Sequence, residues 1–176
     1  LATYVGMTYS AGGFGKHSSD DLRRLLAGKT VGGGFGVGAD AFGLSGGTNR
    51  EDLLLEMQFL AAHLTDPGFR PEAARQAQKS IEQAYLGFEH TSDGPFNLVI
   101  APLIASGDPR FGLPPKEELL KRNLDEVRAW TAPDRAKGAI EMAIVGDIDI
   151  DATIDAVART FGALPKRDAK PALDAL

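Results

Sequence analysis

The chain has 176 residues, 43% of them hydrophobic, with a formal net charge of -5 and no cysteine. That is enough apolar material for the core of one domain or two small units, and it excludes disulfides and thiolate metal sites. An acid excess with scattered Lys and Arg leaves no phosphate-binding footprint, so no nucleic-acid partner is expected.

The opening run Leu1-Ala-Thr-Tyr-Val-Gly-Met-Thr-Tyr9 reads as a strand already in progress, and the chain as a piece of a longer protein. Ser18-Ser-Asp-Asp21 has the capping-box spacing, in which a hydroxyl meets a free backbone N–H and an acid follows three positions later. A short helix carrying Leu22, Leu25 and Leu26 is expected there, ending at Gly28. From Thr30 to Thr48, glycines alternate with Val31, Phe35, Val37, Ala39, Phe42 and Leu44, which predicts a hairpin turning near Ala39-Asp40. Thr48-Asn-Arg-Glu51 is a second capping box before a helix with Leu53, Met57, Leu60 and Leu64 on one face, stopped by Asp66-Pro67-Gly68. Pro71 suits the first turn of the next helix, whose stripe is Ala74, Ala77, Ile81, Ala84 and Phe88.

Residues 1–89 are therefore one strand, helix, hairpin and two-helix unit. A second, related unit over 90–165 is incomplete at its C-terminal end. It begins with an apolar helix from Phe96 to Ala105, kinked near Pro102, followed by a loop rich in Gly and Pro. Asn123-Leu-Asp-Glu126 caps a helix with Leu124, Val127 and Trp130 inward and Pro133 beyond its end. Ile140 to Val145 is a buried strand stopping at Gly146-Asp147, Asp149 caps the last helix, and Phe161-Gly162 with Pro165 ends it. Residues 166–176, with Pro171, read as a linker to further sequence. No apolar run is long enough for a bilayer and no signal-peptide zones are visible, so no membrane partner is expected.

Three stretches, in order, resemble the zinc peptidases related to pitrilysin, insulinase and the mitochondrial processing peptidase. They are Ala61-Ala-His-Leu-Thr-Asp-Pro-Gly-Phe69; Phe111-Gly-Leu-Pro-Pro115 with Glu117-Glu-Leu-Leu120 and Leu124-Asp-Glu-Val-Arg128; and Gly146-Asp147 with Phe161-Gly-Ala-Leu-Pro165. The resemblance implies an α+β fold, a mainly antiparallel sheet with helices on one face, of the LuxS and processing-peptidase-like metallohydrolase type. Ile140, Met142 and Ile144, with Val31, Phe35 and Val37, would form much of its core.

In that family two His and a Glu of an inverted H-x-x-E-H helix, with a later Glu, hold zinc and activate water. The corresponding region here is about Gly12 to Asp21, with His17 alone, and the distal ligand position falls at Gln83, one step from Glu82. One imidazole and a neutral amide do not make a zinc site. No catalytic, cofactor-binding or metal residue is therefore assigned in this chain. Zinc is expected in the catalytic half of the longer protein, and this half is expected to close the peptide chamber. The partners implied are that homologous half, in the same chain or as a subunit, and a peptide substrate. An alternative is an inactive relative serving as subunit or scaffold. The compartment is open, with periplasm or organelle favoured over cytoplasm because relatives work there.

Other motifs compete. Gly43-Leu-Ser-Gly-Gly47 fits G-x-S-x-G, which would make Ser45 a nucleophile with Asp66 and His90, a serine hydrolase. The elbow needs a strand-to-helix turn at the serine, whereas Ser45 fits within a strand. Gly34-Phe-Gly-Val-Gly-Ala39 meets G-x-G-x-x-A but leads to no helix, and Gly28-Lys-Thr30 lacks the earlier P-loop glycine, so nucleotide binding is set aside. Asp147, Asp149 and Asp151 open like a calcium loop, but Ala152 and Ala158 replace its turn glycine and closing acid. His17, His63 and His90 have no local pairing, and His63 near a helix C-terminus would favour a positive charge.

Overall fold

A computed structural model describes residues 1–108 and 112–170. Its first element is a helix, α1 (Ala2–Thr8), where the alternating pattern suggests a strand. The run T-Y-V-G-M-T-Y satisfies both periods, and the burial that decides between them is helical. Tyr4, Val5, Thr8 and Tyr9 are all buried, at spacings of one, four and five, and the Thr8 hydroxyl donates to the Tyr4 carbonyl at 2.7 Å. Tertiary packing outweighs the weak β preference of Tyr, Val and Thr.

After a 3₁₀ turn (Ser10–Gly12), α2 (Ser19–Leu25) starts at the expected capping box. Ser18 Oγ accepts from the Asp21 N–H while Asp21 accepts from the Ser18 N–H. The hairpin also forms as expected, β1 (Gly33–Val37) pairing antiparallel with β2 (Phe42–Gly46), Phe35 opposite Leu44. This is the whole sheet among the described residues. Its inner face lies on α1 and on α3 (Leu53–Thr65), and Tyr9 stacks on Phe35 at 3.9 Å between ring centres.

The second capping box is not used as written. Thr48 Oγ1 donates to the Thr30 carbonyl, bracing the hairpin, and Asn49 Oδ1 instead accepts from the Asp52 N–H, so a turn precedes α3. Along α4 (Pro71–Phe88), Pro71 takes the first position as predicted, but the buried stripe is Ala73, Ala77, Ile81 and Tyr85. Ala84 is exposed. The large ring of Tyr85, whose hydroxyl donates to the Pro114 carbonyl, sets the inward face more strongly than a row of alanines.

The segment from Asp93 runs as α5 (Asp93–Pro95), a π-helical turn (Phe96–Ile100) and α6 (Ala101–Ile104). Pro102 has no N–H to give and its ring crowds the carbonyl one turn earlier, which accounts for the widened turn in place of a simple kink. α7 (Lys116–Leu120) buries Leu119. Phe111, in the expected turn before it, lies outside the described residues, as do 171–176 of the expected linker.

Pro133 sits inside α8 (Leu124–Lys137), where the sequence suggests that it lies beyond the end. The helix continues because its far end is held from outside. Arg167 Nη1 donates to the Asp134 and Arg135 carbonyls, and the Gly138 N–H returns to Asp134 at 2.8 Å. Val127 and Thr131 turn inward, whereas Trp130 is 39% exposed and edges against Phe42.

Ile140 to Val145 forms no ladder, because no strand lies beside it among the described residues. Ile140 and Met142 are about 40% exposed rather than core, and only Ile144 reaches an apolar cluster, that of Met57, Leu60 and Ala156. Asp149 caps α9 (Ile150–Arg159) as expected, accepting from the Ala152 N–H at 3.0 Å, and Phe161–Ala163 closes it as a 3₁₀ turn. The larger core joins Tyr4, Val5, Phe35, Phe69 and Ile81 to Leu119 and Val127. With nine α-helices and one antiparallel pair among the described residues, the chain is of the α+β class.

Candidate functional site

The chemistry-bearing side chains are gathered at the start of α3 and along it, and they face backbone. Asp52 is buried. Its Oδ2 accepts from the Thr30 N–H at 2.8 Å, and its Oδ1 faces Lys29 Nζ at 3.1 Å. These contacts hold its carboxyl below the ordinary range, the Thr30 N–H contributing most. One turn on, Glu56 is 1% exposed, and its Oε2 accepts from the Gly32 N–H at 3.0 Å. Its Oε1 has no hydrogen-bond partner among the described residues and lies against Gly46. Burial raises its pKa and so disfavours its ionised form, opposed by the Gly32 N–H. The two acids grip the strand entry at 29–32, leaving room beside Gly46 for no larger residue.

His63, on the next part of α3, is 3% exposed. Its Nδ1 lies 3.0 Å from the Phe59 carbonyl, which identifies it as the protonated nitrogen, and Nε2 lies 3.5 Å from Ser10 Oγ. Ser10 Oγ also accepts from the Phe35 N–H, and the Tyr9 hydroxyl donates to the His63 carbonyl at 2.6 Å. Burial pushes the imidazole's pKa down, overriding the favourable helix end expected from sequence. Through Ser10 the ring ties α3 to the turn after α1 and to the hairpin. Sequence reasoning missed Asp52, Glu56 and Ser10 as partners, since the acids sit one turn apart on a helix otherwise read as apolar.

The region from Gly12 to Asp21, which the resemblance aligns with a metal-binding helix, is a turn, a loop and the start of α2. Arg70 clamps that loop by donating to the carbonyls of Gly12, Phe14 and Gly15, and Asp66 Oδ2 accepts from the Gly15 N–H at 3.1 Å. His17 is exposed on the loop, while Gln83 and Glu82 are exposed on α4 and His90 follows that helix. No three His, Asp or Glu side chains converge as a metal site among the described residues.

Ser45 lies in the β2 ladder opposite Gly34, not at a strand-to-helix turn, so the elbow geometry is missing. Gly34 to Ala39 is strand and turn, and Lys29 is committed to Asp52. Asp147 pairs with Arg50, and Asp149 caps α9. No described helix is long and apolar enough to cross a membrane.

No family model matches the chain, and no curated protein does. Among solved structures it is similar to a mutant of the ferredoxin protease FusC in complex with Arabidopsis ferredoxin, with 16% identity and a TM-score of 0.61. The likeness covers 97% of this chain and 18% of that one, so the chain spans less than a fifth of the neighbour's length. At that identity the likeness concerns fold alone, and it agrees with the α+β class.

Proposed function

We propose that the chain is the degenerate half of a pitrilysin- and insulinase-like zinc metalloendopeptidase, a wall of the peptide chamber whose chemistry is carried by a homologous half. The observation that carries this reading is the fold likeness, over 97% of the chain, to a protein named as a protease. The ordered motifs from Ala61 to Pro165 support it, and so does the loop at 12–17, clamped by Arg70, where a catalytic copy would need a helix bearing two imidazoles. The finer fold, a processing-peptidase-like metallohydrolase domain, belongs to the same proposal. Peptide and the homologous half are the partners, and zinc is the cofactor of that other half.

The test is division of labour. The purified chain is dialysed, its zinc is measured by atomic absorption, and cleavage of quenched fluorescent peptides is followed with and without a longer protein carrying H-x-x-E-H. The expected result is no retained zinc and no cleavage by the chain itself, with cleavage when both halves are present. One equivalent of zinc with turnover by the chain alone would overturn the reading.

A further inference from the structure

A groove of about 470 Å³ runs between α1, the start of α4 and the α7–α8 junction. Three guanidinium groups line it, Arg75 from α4, Arg122 from the junction and Arg128 from α8, with Tyr4 and Phe69 contributing apolar surface. The chain as a whole carries -5, so three cations in one groove run against its average.

Each arginine is anchored to an acid of its own segment: Arg75 to Glu72 at 2.7 Å, Arg122 to Glu126 at 3.2 Å and Arg128 to Asp125 at 3.2 Å. Of those acids only Asp125 lines the groove. Each anchor uses one terminal nitrogen, and the other N–H groups of the three make no hydrogen bond among the described residues. A guanidinium has five donors, so most of the set is left for a ligand. Such exposed pairs are weak and rearrange at little cost. Arg128 is further oriented by the Phe69 ring, with its Cζ 5.2 Å from the ring centre.

Tyr4 adds a polar group of another kind. Its ring is buried, while its hydroxyl makes no hydrogen bond among the described residues and is not one of the sealed, unpartnered atoms, so it opens to the groove. Burial, with Glu126 nearby, pushes its pKa upward, so the phenol keeps its proton and stays a donor.

From the unpartnered Tyr4 hydroxyl and the convergence of Arg75, Arg122 and Arg128 beside Phe69, we infer that this groove binds an acidic peptide segment through its carboxylates. Planar guanidinium forks match carboxylates in a bidentate way. The inference stands on the groove itself and does not depend on the peptidase reading.

Binding of a fluorescein-labelled glutamate-rich peptide to the full chain is measured by anisotropy, beside the same peptide with every Glu replaced by Gln. The acidic peptide should bind, weaken as salt is raised to ~0.15 M, and lose at least about tenfold in affinity on Arg122→Gln or Arg128→Gln. Tyr4→Phe keeps the buried ring and should weaken binding by about three- to tenfold, roughly one hydrogen bond, with an unchanged circular dichroism spectrum. If an arginine variant misfolds, Arg75→Gln, exposed on α4, serves the same purpose. Equal affinity for the Gln peptide, indifference to Arg122→Gln and Arg128→Gln in folded protein, or displacement by inorganic phosphate as readily as by unlabelled peptide would overturn the proposal.

Discussion

Replacing Glu56 by Gln isolates the most unusual energetic feature of the fold, a carboxyl 1% exposed with one oxygen unpartnered among the described residues. Burial raises its folded-state pKa above the ordinary value of 4.5, so the native chain holds the proton more tightly than the unfolded chain. The stabilisation is complete below about pH 4.5 and is lost as the pH rises through the folded value. Above that, a charged oxygen lies against Gly46 without a donor, at a cost of about 1–3 kcal/mol for a buried unsatisfied group. Gln keeps a carbonyl for the Gly32 N–H and carries no charge. Glu56→Gln should therefore match the parent near pH 4.5 and be more stable by roughly 1–2 kcal/mol at pH 8. In a chain of this length that is a rise of several degrees in Tm. Urea unfolding followed at 222 nm across pH 4.5 to 8, taken as the difference between the two proteins, is the appropriate assay. The parent curve alone mixes in His63 and Asp52, which titrate with the opposite sign. Parallel curves for the two proteins, or a variant less stable at pH 8, would refute the argument.

Gly46→Ala would drive a methyl group into Glu56 Oε1 and should cost about 2–3 kcal/mol, an overpacking effect that a double cycle with Glu56→Ala would largely relieve. His63 has a depressed pKa, so its contribution is complete above 6.5 and declines as the pH falls below that value; its ring proton shift followed by NMR should titrate with a midpoint below 6.5. A ring that titrates at 6.5 or above would contradict its placement. The zinc and cleavage measurements and the acidic-peptide titration test the two functional proposals separately, because the groove can bind whether or not a catalytic partner exists.

The local signals in this sequence determined the capping boxes at Ser18 and Asn123, the Asp149 cap, the glycine-alternating hairpin and the proline start of α4. Each depends on a hydrogen bond or a backbone angle set within a few residues. Local signals could not choose between periods in Leu1 to Tyr9, because Tyr, Val and Thr at those spacings suit a strand or a helix until Phe35 and Phe69 close on one face. They could not show that Pro133 is carried inside α8, since Arg167, more than thirty residues later, satisfies the carbonyls at its end. Nor could they show that Ile140 to Val145 has no partner strand among the described residues, because a ladder needs a neighbour as well as a propensity. The buried roles of Asp52, Glu56 and His63, and the meeting of Arg75 with Arg122 and Arg128, are likewise tertiary facts. Charges distant in sequence acquire their chemistry only when packing sets their solvent exposure and their neighbours.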